Sequence, residues 1–290
     1  MRLKPLVLLV LPLLVATTAC GPKDESGSAG RPTSSTSSSA ASCTKTDLPL
    51  KTGGKLTVAT DTPAYDPWFS GNDPTNGKGF ESAVAYAVTD RLGFDGSEVA
   101  WVKEPFNNSY APGAKRFDFD INQISITPAR AKVVDFSRGY YSAAQAVIAL
   151  KKENLSPGAL ADLADLKLGA QTGTTSLTAI RDVIRPSQQP LVFNNTNTAK
   201  QALLNGQVDA IVADLPTAFY VTGAEIKGST IVGQFQPVSG QKEEFGLLME
   251  KGSGLRPCVD KAIASLAQDG TLASLEKQWL SDTVDVPVLK

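Results

Sequence analysis

Histidine is absent from the 290 residues. Its absence removes His-based acid–base catalysis, Ser-His and Cys-His nucleophile activation, and the commonest metal ligand. The three cysteines, Cys20, Cys43 and Cys258, are too few and too scattered for a zinc cluster. Neither sign of charge is in excess. With 28 basic and 29 acidic residues the net charge is -1, so there is no basic field to draw nucleic acid and no acidic surplus to suggest disorder. The apolar run at residues 5–15 falls short of the roughly 20 residues that span a bilayer. Asp118 with Asp120, and Asn72-Asp73 ahead of Asn76-Gly77, lack calcium-loop spacing with a terminal glutamate, and read as strand flanks and solvated turns. No metal or cofactor is expected.

What the chain does contain is concentrated in residues 117–137, FDFDINQISITPARAKVVDFS. Phe117, Phe119 and Ile121 alternate with Asp118, Asp120 and Asn122, the period of a half-covered strand. Asn122, Gln123, Ser125 and Thr127 crowd its end. Pro128 cannot donate to a ladder, so pairing should stop there and a short turn should carry Arg130. Ligands of open α/β sheets settle beyond the carboxyl ends of strands, where Arg130 offers a planar fork for a carboxylate. The alternative is an arginine paired with Asp135 or lying along its own helix.

Around this stretch, strands at 55–59, 98–102 and 146–150 and a helix at 79–92 begin an α/β alternation. A second set follows, with strands at 167–171, 191–193 and 209–213 and helices at 175–184 and 198–204. A strand at 245–249 and helices at 255–268 and 272–279 complete the reading. Residues 106–114 are irregular or helical. Residues 1–20, with Arg2 and Lys4 before the apolar run, read as an export signal. Residues 21–42, rich in Ser, Thr, Ala and Gly, read as a flexible tether with a reach of roughly 25 Å.

The segment ISITPARAKVVDFSRGYY resembles the signature of the extracellular solute-binding proteins that serve amino-acid ABC transporters, and the resemblance runs from about residue 55 to 279. It implies a type II periplasmic-binding-protein fold, with two α/β lobes joined by two crossing strands as a hinge. The first, discontinuous lobe would take residues 43–146 and 240–290, and the second 147–239. Residues 17–20, Thr-Thr-Ala-Cys, resemble a lipoprotein processing site with Cys20 as the lipidated residue, although Thr17 stands where leucine is usual. The resemblance thus implies an exported protein, lipid-anchored to the outer face of the cell membrane. Cys43 and Cys258 then remain, in an oxidising compartment that favours pairing them over leaving two buried thiols.

In the resembled family, the arginine at the position of Arg130 binds the ligand's α-carboxylate, joined by a threonine and backbone amides of a turn that here reads QTGTT. Thr174 and Thr175 are the candidates there, and either could also cap the following helix. The aspartate that receives the α-ammonium corresponds to Asp214, for which the structural alternative is an N-cap. Tyr65 and Phe106 correspond to aromatics that sandwich the side chain, although 106–116 departs from the family's helix; ordinary packing is the alternative for both. Asp61 lies where polar side chains are touched, or braces its loop. Ser125 and Gln123 complete the ligand set, with Asn122 and Gln123 bulkier than the family's small residues. The implied protein is a monomeric binder, not an enzyme, that captures a small, polar amino acid and delivers it to permease subunits. An enzyme on the same scaffold, of dehydratase or peptidoglycan-lyase type, and a binder of another small carboxylate are the rivals.

Overall fold

The structure is a computed structural model that describes residues 43–237, 242–280 and 286–290. The export signal, the tether and Cys20 lie outside the described residues. The strands are β1 Leu56–Thr60, β2 Val99–Lys103, β3 Phe119–Asp120, β4 Val134–Ala143, β5 Gln145–Leu150, β6 Leu168–Gln171, β7 Leu191–Phe193, β8 Ala210–Asp214, β9 Ser229–Phe235 and β10 Glu243–Glu250. The helices are α1 Phe80–Arg91, α2 Phe106–Ser109, α3 Pro128–Ala131, α4 Thr175–Ala179, α5 Thr196–Leu204, α6 Leu215–Tyr220, α7 Arg256–Gln268 and α8 Thr271–Trp279.

These strands form two sheets, one in each lobe. The first has the order β2-β1-β3-β10-β4, and the second β7-β6-β8-β5-β9. Each mixes parallel pairs (β1 with β2 and β3; β6 with β7 and β8) with antiparallel ones that involve β10 or β5. Both faces of each sheet are covered, which is why β1 and the first residues of β8 read as apolar runs rather than alternating ones. In the first lobe, Trp68, Phe80, Tyr141 and Phe245 pack edge-on or tilted with centroids 5.3–6.1 Å apart. These are geometries that aromatic quadrupoles favour.

Two connections between strands pass from one sheet to the other. The first crossing is almost immediate: β4 ends at Ala143 and β5 begins at Gln145. The second runs from β9 to β10. The chain's end departs from the expected lobe assignment. Residues 286–290 pack on the second sheet, where Gln234 donates to Pro287 and Leu289 donates back to Gln234, and Leu289 joins the second core. Apolar Leu289 gains burial there.

The strand expected from residue 117 is shorter than its alternation suggests, with only Phe119 and Asp120 laddered. Its polar set does not face water either: Asp118, Asp120 and Asn122 are all buried. Asp118 accepts the backbone N–H groups of Lys51 (2.7 Å) and Thr57 (2.6 Å), which explains its place inside. Cys43 and Cys258 are disulfide-bonded, their Cα atoms 5.4 Å apart, tying the start of the described chain to α7.

Candidate functional site

The carboxyl ends of β3, β6 and β8 point into one cleft, lined by Asp61, Tyr65, Phe106, Asn122, Gln123, Ser125, Thr174, Thr175 and Asp214 together with Gln171, Thr196 and Thr217. The two sheets approach closely around it. Trp68 Nε1 donates to Thr217 Oγ1 at 2.9 Å, and the Ser125 and Thr175 hydroxyls lie 3.2 Å apart.

Arg130 sits in the single turn of α3, which Thr127 caps by accepting the Arg130 N–H at 3.2 Å. Its side chain is buried. It donates to the Ser125 carbonyl (2.7 Å) and, across the cleft, to the Gly173 carbonyl (3.0 Å), while its guanidinium lies over the rings of Tyr110 (4.6 Å) and Phe106 (5.5 Å). Asp135 pairs instead with Lys251 at 2.9 Å. Among the described residues Arg130 has no ion pair. Burial pulls its pKa below the ordinary value, against the opposing charges of Tyr110, Glu243 and Asp214. Gly173 makes this approach possible. With φ +75° it occupies the left-handed region, and a Cβ there would lie 2.1 Å from Asn107 Oδ1 and 2.2 Å from the Tyr110 hydroxyl.

Thr174 is the N-cap of α4, its Oγ1 accepting from Leu177 N at 3.1 Å and donating to the Gln171 carbonyl. Thr175, first in the helix, has its hydroxyl towards Ser125. Asp61 braces its loop by accepting from Thr62 N (2.6 Å) and Phe106 N (3.2 Å) and still lines the cleft. Burial raises its pKa despite those bonds. Lys200 Nζ lies 5.6 Å from the centre of the Tyr65 ring. Gln123 has φ +47° and is held by Glu81, which accepts both its backbone N–H and its side-chain amide.

Asp214 stands at the N-cap position of α6 but makes no capping bond. Its carboxylate accepts from Gln145 Nε2 at 2.8 Å instead. Burial and the neighbouring Glu243 charge push its pKa well above the usual carboxylate range, outweighing the Gln145 bond.

Gln145, Glu243 and Glu81 were not among the expected site residues. Gln145 had one signal in the sequence, a polar residue at the head of an otherwise apolar strand, QAVIAL. Glu243 and Glu81 had none, because their partners lie far along the chain: Ser125 and Gln145 for the first, Tyr140 and Gln123 for the second.

Two α/β lobes, with a polar cleft between their strand ends, define a protein that holds a small solute between lobes, with the fold of type II periplasmic binding proteins. The profile of bacterial extracellular solute-binding proteins, family 3, matches residues 56–282, and the chain belongs to that family. It is 29% identical over 240 residues to the L-cystine-binding protein TcyJ of Escherichia coli (strain K12), covering 81% of this chain and 86% of that protein. It is 28% identical to the ABC transporter glutamine-binding protein GlnH of Bacillus subtilis (strain 168), covering 96% of both. Among solved structures, an ancestral amino-acid-binding protein described as a precursor of cyclohexadienyl dehydratase matches with a TM-score of 0.65 and 28% identity, covering 78% of this chain and 95% of that one.

Proposed function

We propose that this chain is the capture component of an amino-acid ABC importer, which takes a small, polar amino acid into the cleft and presents the closed form to a membrane permease. The observation that carries this reading is the placement of Asp214 on the wall of one cleft and of the buried Arg130 guanidinium behind that wall, reaching across to Gly173. Among the described residues, Arg130 has no ion pair and the Asp214 carboxylate has one donor, Gln145.

Two carbonyls engage the Arg130 guanidinium, which has five N–H donors, so donors remain for a ligand carboxylate. Asp214 has acceptor capacity left for an α-ammonium. Thr175 and Ser125 offer hydroxyls beside them, Tyr65 and Phe106 offer rings for the ligand's side chain, and Asp61 and Gln123 face its polar end. Only the closed form brings both charges to one ligand, so the ligand stabilises that form. A few charge-assisted bonds of about 1.5–3 kcal/mol each, with ring burial, reach the roughly -8 kcal/mol of micromolar affinity.

A thermal-shift screen of the amino acids identifies the ligand, because a molecule that binds only the native state raises the midpoint. Calorimetry on Arg130→Ala should then show binding weaker by about 2–5 kcal/mol, since the ligand carboxylate loses its partner. Unchanged affinity would take Arg130 out of the site.

Binding without turnover is the reading the cystine- and glutamine-binding relatives favour. The raised pKa of Asp214 is the feature an enzyme on this scaffold would use, and product formed from a bound amino acid would replace our reading. The protein acts as a monomer held outside the cell membrane by lipid on Cys20. Radiolabelled palmitate should enter the wild type and not Cys20→Ala, and labelling that survives the substitution would move the anchor elsewhere.

A further inference from the structure

At the point where the chain crosses between the sheets, four side chains form one hydrogen-bonded relay. Glu243, first residue of β10, accepts the Ser125 hydroxyl at 2.5 Å with one carboxylate oxygen and the Gln145 amide at 2.7 Å with the other. The same Gln145 nitrogen donates to Asp214 Oδ1 at 2.8 Å. Its orientation is fixed from behind, because Gln145 Oε1 accepts the Ser176 hydroxyl at 2.5 Å. Both N–H bonds of one amide are therefore spent on two carboxylates. Gln145 and Asp214 are direct partners in the antiparallel β5–β8 ladder, so their side chains share a face. Gln145, Ser176 and Glu243 are all buried, whereas Asp214 keeps part of its surface open to the cleft.

We propose that Glu243 is a positioning residue for the ammonium site: acting through Gln145, it holds the Asp214 carboxylate aimed into the cleft and ties that aim to Ser125 of the first lobe. This deepens the reading above and rests on it, since Asp214 is the group that would receive the ligand's ammonium. The relay contains a bond from the first lobe, a residue at each crossing and the acid of the second lobe. Ser125 stays with Glu243 on opening, because residues 124–126 are bonded to β10 beside it. Opening the cleft would instead strain the Glu243–Gln145 bond and loosen Gln145, then Asp214. The acid is thus aligned when the lobes are together.

Glu243 also puts a like charge beside Asp214, which opposes the ionisation of Asp214. The other charges acting on Asp214 are Glu81 on α1 and, opposing, Arg130 on α3; Tyr140 and Tyr141 on β4 face it as neutral phenols whose pKa it raises. Charge and aim can be separated by two substitutions. Glu243→Ala removes both, while Glu243→Gln keeps an acceptor for Gln145 and removes the charge.

The probes are L-glutamine and L-arginine, titrated calorimetrically between pH 5 and 8 into the whole exported chain. Glu243→Ala should bind roughly tenfold or more weakly at every pH, the scale of one lost charge-assisted contact. Glu243→Gln should keep the affinity at the alkaline end but lose it on acidification at a lower pH than wild type, because Asp214 then ionises without its neighbour. A residue that only supports the fold would lower the melting temperature of both variants without moving that profile. Superimposable pH profiles for wild type and Glu243→Gln, or wild-type affinity in Glu243→Ala, overturn the proposal. If neither probe binds the wild type, the ligand is another amino acid, to be found by the thermal-shift screen, and the proposal is decided without ligand. The carboxylic-acid infrared band that Asp214→Asn removes should titrate at lower pH in Glu243→Gln; a band that does not move overturns it.

Discussion

Two acids, Glu81 fully buried in the first lobe and Asp214 partly open to the cleft in the second, are treated differently by the chain. Glu81, on α1 of the first lobe, accepts from the Tyr140 hydroxyl, the Gln123 backbone and the Gln123 amide. Asp214, at the end of β8 in the second, accepts from Gln145. Burial raises both, Glu81 to about 7 and Asp214 well above its ordinary value. The difference lies in spare acceptor capacity. A buried carboxylate holding three donors of its own protein shapes the wall of a cleft, and one with a single donor beside that cleft is positioned for a donor from outside. Glu81 acts through Gln123, whose backbone it holds at φ +47° against the pocket. Asp214 meets the pocket itself.

The lobes also differ covalently, and the largest effect we expect comes from breaking that difference. The Cys43–Cys258 bond closes a loop with a sequence separation of 215, both ends of it in the first lobe. Replacing both cysteines by serine should cost about 2–5 kcal/mol in denaturant unfolding. The loss should appear as faster amide exchange in α7 and in the strands it covers, with β6 and β8 of the second lobe protected as before. Equal loss of protection in both lobes would show that the staple acts on the whole molecule, not on the half that carries Glu81.

Much of this architecture was legible in the sequence. Strands β1, β2, β6 and β8 and helices α1, α7 and α8 lie within a residue or two of where periodicity puts them. β4 was not legible, because Asp135, Arg138 and Gly139 interrupt its apolar residues and its register with β10 is irregular, so its burial follows no period of two. Nor was the brevity of β3, which stops where Gln123 turns into the left-handed region under the hold of Glu81. Around the cleft, the positions of Ser125, Thr175 and Asp214 at strand ends and helix starts were readable because they are local, while their roles, and that of Arg130, came only from the resemblance. Glu81, Gln145 and Glu243 were not readable, since an acid or amide acquires its role from partners brought to it by the fold. Asp120 carries the same lesson. It reads as the outward face of a strand, yet it is fully buried, with Ser109 as a donor and its pKa raised to about 8 by burial and by the charges of Glu81, Glu104 and Asp61.

A smaller effect, on pH dependence, sharpens the comparison furthest. Glu81 ionises at about 7 in the folded chain against an ordinary value of 4.5, so between those values the folded state binds more protons than the unfolded one. Stability therefore falls as pH rises through that window, and the loss is absent below the unfolded value. Between pH 5 and 8 the contribution of Glu81 is on the order of 2 kcal/mol. Glu81→Gln, which cannot ionise, should flatten that part of the slope, measured as unfolding midpoints in denaturant at each pH. The residual slope belongs to Asp120 and Asp214, shifted the same way. Saturating amino acid should flatten the part due to Asp214, because an ammonium in the cleft favours its ionised form, and leave the part due to Glu81 in place, because Glu81 is fully buried and does not line the cleft. If ligand instead erased the Glu81 contribution and spared that of Asp214, the first-lobe acid would be the one that meets the solute.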